Sequence, residues 1–304
     1  LRATLNKYKL FSVFEKIFQN TWLNSSLAIL LGLYYGTLDI WGDEWQWISE
    51  HKGIHSVVYS TLVTITVISV LIKARLDHVA KKYKYEEKLI LSKFVSIVRN
   101  IVYTKRTRFY DKASGLAKDK KRIKFFDEIT HPDEQIKYIM SQSREFFEFY
   151  GVKRNQIEMT VLGSIKKDED DSQTWKYVIQ SDRQREHSDA NIIMSSNSLA
   201  KKAIESGDPI FLAELEEGIN QEKFFVSDRS LEASNIGSIY CKPVTIKIQE
   251  VTYKYVFSIV SYGTYLCSPT NIVEAKQIAM ILNEFGDRVE LELYLFAMKS
   301  HKKG

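Results

Sequence analysis

The residues of this chain that could do catalysis or hold a metal are six histidines, two cysteines and one acidic run. None is spaced for either task. His51, His55, His78, His131, His187 and His301 are scattered, whereas a metal needs several His, Cys or carboxylate groups that converge. Cys241 and Cys267 fall in strand-like sequence without a ligand cluster. That pattern indicates neither a disulfide framework nor a zinc site, and two free thiols fit a reducing compartment. Asp168–Asp171 would attract a cation, but it lies at an expected hairpin tip, where a solvated turn accounts for it. No Walker loop, GxGxxG, HExxH or GxSxG is present. The chain reads as a non-enzyme with no cofactor and no metal.

With catalysis set aside, the informative elements are two uncharged stretches, Ile17–Leu38 and Gly53–Ile72. Each approaches the ~20 apolar residues that a helix needs to cross a bilayer. Between them lies a short acidic turn with Asp39, Asp43, Glu44 and Glu50. Trp22, Trp41, Trp45 and Trp47 sit at the edges, where amphipathic rings settle at headgroup depth. Arg2, Lys7, Lys9 and Lys16 precede the first stretch, and Lys73, Arg75, Lys81, Lys82 and Lys84 follow the second. Basic flanks face the cytoplasm, so a membrane hairpin with both termini cytoplasmic is expected. A cleaved signal peptide does not fit, because no small-residue cleavage site is present and a second span follows. Gly32 and Gly36 form a GxxxG pattern that would let helix backbones approach. Ser56, Ser60 and Thr64 recur at spacing four. They would line a pore in an oligomer, or bond back to backbone carbonyls.

Charge divides the rest. Residues 73–124 carry 17 basic and 5 acidic side chains, and residues 125–304 carry 21 and 28. A basic segment beside a span is drawn to anionic headgroups, so a lipid bilayer rather than a nucleic-acid duplex is the expected partner. No glycine or proline lies between Gly53 and Tyr103, and Ile90, Phe94, Ile97 and Ile101 form one apolar stripe. We expect a helical stalk that joins copies in a homo-oligomer, or packs on its own domain. From Thr104 to Lys124 a loop or broken helix is expected. The domain boundaries are thus 1–72 for the hairpin, 73–124 for the stalk and 125–304 for a cytosolic domain.

In that domain a helix is expected from Pro132 to Tyr150, then strands at Ile157–Ile165 and Trp175–Gln180. A helix at Ser198–Ser206 and a short strand at Pro209–Leu212 follow, with polar loops between. Gly237–Ile248 and Tyr253–Tyr262 carry the clearest hairpin signal. Asn271 and Glu274 form a capping box for a last helix reaching Met298.

This order resembles the GAF family of sensor domains, with PAS-like domains as the rival. The segments that carry the likeness are AKKAIESGDPIFL, within Leu199–Leu212, and IGSIYCKPV from Ile236 to Val244. The resemblance implies an α+β domain with an antiparallel sheet and N- and C-terminal helices on one side. It also implies a ligand pocket formed by Ser196, Asn197, Ser198, Lys201 and Arg229 with Tyr240, Ser258 and Tyr262. Hydroxyls and amides at the start of a helix suit a phosphate, Lys201, Arg183, Arg185 and Arg229 would neutralise it, and the tyrosines would stack on a base. Neither cysteine is followed by the histidine of bilin-binding members. The Asn-Lys…Phe…Asp-Glu pattern of cyclic-nucleotide members is missing.

The whole layout resembles the two-span membrane effectors of bacterial nucleotide-signalling anti-phage systems. That likeness implies an inner-membrane protein that binds a nucleotide second messenger, repacks as an oligomer and permeabilises the membrane. The alternative is a membrane-anchored sensor that signals through a partner protein, or a plain anchor. The chain stops where its last helix stops, so output is expected from the hairpin or from a partner.

Overall fold

The computed structural model describes residues 21–42, 44–116, 130–167, 174–180, 189–221, 224 and 226–302. The chain forms two compact units, Leu1–Leu91 and Ser92–Gly304.

The first unit holds helices α1 (Thr21–Trp41) and α2 (Gln46–Glu50) and the start of α3 (Lys52–Leu116). Aromatic and polar contacts tie α1 to α3. Tyr34 Oη and His55 Nδ1 share a hydrogen bond of 2.9 Å, and the Tyr35 and Tyr59 rings lie 5.8 Å apart. Trp47 meets the His55 ring edge-on at 4.7 Å. Among the described residues one helix, α3, is long and apolar enough to cross a membrane. Val57, Ile65, Val67, Ile68, Val70 and Leu71 on it are all exposed. The expected first span starts at Ile17, outside the described residues, which take up α1 only from Thr21.

The second unit begins at Ser92, well before the expected boundary at 125. The rest of α3 belongs to it. That helix also continues past Thr104 to Leu116, where a loop or broken helix was expected. The reason is tertiary: Lys105 and Arg108 find partners on neighbouring helices, as described below. Helix α4 (Pro132–Tyr150) starts with proline at its first turn and Asp133 and Glu134 facing the positive end of the helix dipole. It ends on Gly151, whose φ of 104° closes the helix in the left-handed region.

Five strands follow, β1 (Ile157–Lys167), β2 (Trp175–Gln180), β3 (Ile210–Leu212), β4 (Gly237–Ile248) and β5 (Val251–Tyr262). They form one sheet in the order β2-β1-β5-β4-β3 with every neighbouring pair antiparallel. Short helices α5 (Ala190–Ser195), α6 (Leu199–Ser206), α7 (Leu215–Asn220) and α8 (Asp228–Glu232) connect the strands. Of these only α6 was expected; α5, α7 and α8 lie in segments expected to be polar loops. The long helix α9 (Ile272–His301) closes the domain.

Alternation along the strands gives the sheet two buried faces. Leu162, Ile239, Cys241 and Val256 pack with Leu199, Ala200 and Ala203 of α6 and Met194 of α5. The opposite face packs on α9, where Tyr240 Oη donates to Asn283 Oδ1 at 2.8 Å and the Tyr255 and Phe296 rings lie 6.3 Å apart. Gly286 allows α9 to lie close to the sheet. A Cβ there would fall 2.6 Å from Lys242 Cδ and 2.7 Å from Tyr240 Oη. At the head of α9 the Asn271 side chain accepts from Glu274 N, so the cap forms as expected. The return half of the box does not. The Glu274 carboxylate, which is buried, accepts instead from Ser268 N and Tyr150 Oη.

Candidate functional site

Residues 93–109 of α3 lie against α4 and α9. The Phe94 ring lies 5.9 Å from Phe146 and 5.6 Å from Phe285. Ile97 is 0% exposed and Ile101 4%. Ion pairs join the edges: Lys93 with Glu145 at 2.6 Å, and Lys105 with Glu292. Arg108 Nη1 donates to Gln135 Oε1 at 3.1 Å, and Gln135 Nε2 donates to the Ile101 carbonyl at 3.3 Å. Helix α3 therefore runs alongside α9 and antiparallel to α4, fixed by an aromatic contact at one end and charges at the other.

Where these helices diverge they leave a cleft of about 290 Å³. Ile101, Val102, Phe109, Ile139 and Leu291 provide its apolar walls. Arg106 and Arg288 lie on it, with the Lys105–Glu292 pair and Gln135 behind. Gln135 is committed through both ends of its amide. Arg288 holds the carbonyl and carboxylate of Glu284 at 2.6 and 2.7 Å. Arg106 is exposed.

A second polar cluster joins α9 to β4. Lys242 of β4 is buried and paired with Asp287 and with Glu290, the latter at 2.9 Å. Burial alone would lower its pKa, but the hydrogen bonds it donates to the two carboxylates outweigh it and hold the pKa above the ordinary lysine range. Burial also raises the Tyr240 and Tyr255 hydroxyls and pushes the Cys241 thiol up to about 12. Lys242, Tyr240 and Tyr255 lock α9 to the sheet; Cys241 lies on the opposite face, and a thiol so suppressed is a poor nucleophile.

The described members of the expected ligand pocket serve as caps and packing groups. Ser198 Oγ is buried and caps α6 by accepting from Lys201 N at 3.2 Å. Ser196 Oγ donates to the Ile193 carbonyl at 2.8 Å, and Asn197 is exposed. Lys201 Nζ lies 4.0 Å from Glu205, one turn along its own helix. Ser258 is buried beside the Cys241 thiol at 3.4 Å, and Tyr262 packs on the same apolar core. Tyr240 points to the other face of the sheet, toward α9. The side chain of Arg229, and all of Arg183 and Arg185, lie outside the described residues. Side chains of Leu162, Trp175, Met194, Leu199 and Val256 fill the space between sheet and short helices.

Other expected positions are also placed. Phe94, Ile97 and Ile101, read as a seam between copies, are covered by helices of the same chain. Ile90 is half-buried. A Cβ on Gly32 or Gly36 would meet open space, so the GxxxG pattern makes no close helix contact among the described residues. Ser56, Ser60 and Thr64 are exposed. Thr64 bonds back to the Ser60 carbonyl at 2.8 Å, and Thr61 to that of Val57 at 2.7 Å.

The sequence reading missed the cleft because Lys105, Arg106 and Arg108 sit in a basic run read as facing lipid. One signal was available. Glu292 stands three residues after Val289, on the inward stripe of the last helix, where an acid needs a buried partner. Comparison with protein-family models and with curated proteins finds no match for this chain.

Proposed function

We propose that this chain is a membrane effector in which a ligand-binding domain acts on a two-helix membrane hairpin. The observation that carries the reading is α3. It is one 65-residue helix that contains the apolar stretch at one end and is built into the domain's helical layer at the other. A helix without a break transmits a shift or rotation better than a flexible linker. The exposed apolar run on α3 has the length and character of a lipid-facing surface. In this reading α1 supplies the second span, both termini are cytoplasmic, and the domain is a GAF-type sensor at a bacterial inner membrane. An antiparallel sheet with long helices on one face and short helices on the other supports that assignment. Several copies would be needed to enclose a pore, so the effector acts as a homo-oligomer.

The test is release of a trapped dye from vesicles of mixed zwitterionic and anionic lipid containing the full chain. Fusions at Trp47 and at the C-terminus should label from opposite sides of a cell membrane. A chain that remains in the aqueous phase with vesicles present, or a C-terminus labelled from outside, overturns the reading.

A further inference from the structure

We infer that the cleft between α3, α4 and α9 binds a small anion with an apolar body, an acyl or aryl carboxylate or phosphate. This rests on the proposed function in one respect only, that the ligand would bear on α3 and hence on the hairpin. The walls from Ile101, Val102, Phe109, Ile139 and Leu291 are apolar. Leu291 is 63% exposed, a large apolar side chain presented to water beside a concavity. The volume of about 290 Å³ stands near the small end of the roughly 300–1,000 Å³ typical of ligand sites. Positive charge supplies the polar end. Arg106 is exposed on the cleft, and Arg288 holds its guanidinium there through Glu284. A guanidinium matches carboxylate or phosphate oxygens in a two-point fork.

The same lining argues for the form of the apolar body. A nucleobase needs donors and acceptors along its edge. Gln135 is already committed at both ends of its amide, to Arg108 and to the Ile101 carbonyl. Lys105 and Glu292 are committed to each other. Arg288 is paired with Glu284, so what is left is apolar surface and the Arg106 guanidinium, which suits a chain or a plain ring with one anionic group. The site touches α3 along Ile101–Phe109, so occupation stiffens or shifts the segment that joins the helix to the domain.

The experiment uses the full chain in maltoside micelles with octanoate as probe, octylammonium as charge control and adenosine monophosphate as the nucleotide arm. Octanoate should raise the unfolding midpoint saturably, and octylammonium should not. Arg106→Glu should weaken the octanoate effect at least tenfold. Leu291→Trp, which fills the cleft from an exposed position, should abolish it. No saturable shift in the parent overturns the inference, as does an equal shift in parent, Arg106→Glu and Leu291→Trp. A shift by the nucleotide that both variants lose, with none by octanoate, overturns the acyl or aryl assignment. Octanoate binding by a chain that never releases vesicle contents keeps the site and removes the effector reading. Release without binding does the reverse.

Discussion

Ile97→Ala tests whether the far end of α3 is a working part of the domain. Ile97 is 0% exposed, on the face of α3 that Phe94 and Ile101 extend toward α4 and α9. The substitution removes three carbons. At ~0.8 kcal/mol per buried methylene the transfer term is about 2.4 kcal/mol. The cavity adds to it, because three helices fixed by ion pairs at Lys93 and Lys105 cannot close fully around the gap. A loss of about 3 kcal/mol is expected, less a few tenths regained because alanine is the better helix former. Val95→Ala is the control: same helix, 46% exposed, expected within about 0.5 kcal/mol of the parent. The assay is hydrogen exchange of β4 and β5 amides in the full chain, which report opening of the whole unit. Ile97→Ala should speed their exchange roughly a hundredfold, at ~1.4 kcal/mol per factor of ten. An unchanged exchange rate together with a fall in oligomer mass would refute the argument. It would mean that Ile97 is covered by another copy and not by its own chain.

Gly286→Ala should destabilise despite replacing glycine in a helix. The gain of about 1 kcal/mol in helix propensity is outweighed by ~1–3 kcal/mol of overpacking against Lys242 and Tyr240, and Tyr240→Phe should recover part of the loss. Thermal unfolding of the three variants decides it; a stabilised Gly286→Ala would be the contrary result. The raised pKa of Lys242 means that its contribution is complete below the ordinary lysine value of 10.5 and is lost as pH rises through the folded value. Stability should therefore fall above the ordinary lysine value of 10.5, and Lys242→Met should make that fall shallower, as followed by denaturant midpoints from about pH 9 to about pH 12. Cys241 and Cys267, both buried, should resist a thiol reagent at pH 8 until the domain is unfolded; labelling of either on mixing would contradict the packing.

Regular elements with strong periodicity were legible in the sequence. Alternation fixed β4 and β5 within a few residues, and Pro132 and Gly151 marked both ends of α4. Three things were not legible, each for a tertiary reason. The stripe Phe94-Ile97-Ile101 has one spacing whether it meets a second copy or its own chain, and only Phe146 and Phe285 decide between them. The helix beyond Thr104 lacks apolar periodicity because its inward positions are Lys105 and Arg108, which are paired with Glu292 and Gln135. Tyr240 was expected on the same side as Ser258 and Tyr262, and a one-residue step along a strand reverses the face. Tyr240 and Cys241 are neighbours in sequence but point to opposite layers.

The packing of α3 also limits how a ligand could act through it. Freeing the helix from the domain would expose Phe94, Ile97 and Ile101. Ile97 and Ile101 are buried and contribute ~1.5–3 kcal/mol each, and half-buried Phe94 adds a smaller share, so detachment costs about 4–8 kcal/mol, to which the Lys93 and Lys105 ion pairs add. A ligand present at a thousand times its dissociation constant supplies about 4.1 kcal/mol. Ligand binding at the cleft therefore cannot drive release of the helix by itself. It can drive a smaller change that keeps the Phe94, Phe146 and Phe285 cluster packed while altering the neighbourhood of Lys105 and Glu292. A tilt or rotation of α3 about its aromatic anchor satisfies that limit. In the proposed effector this makes the switch a repacking of helices that stay in contact, with the anchor at Phe94 as pivot and the cleft at Ile101–Phe109 as the place where force is applied.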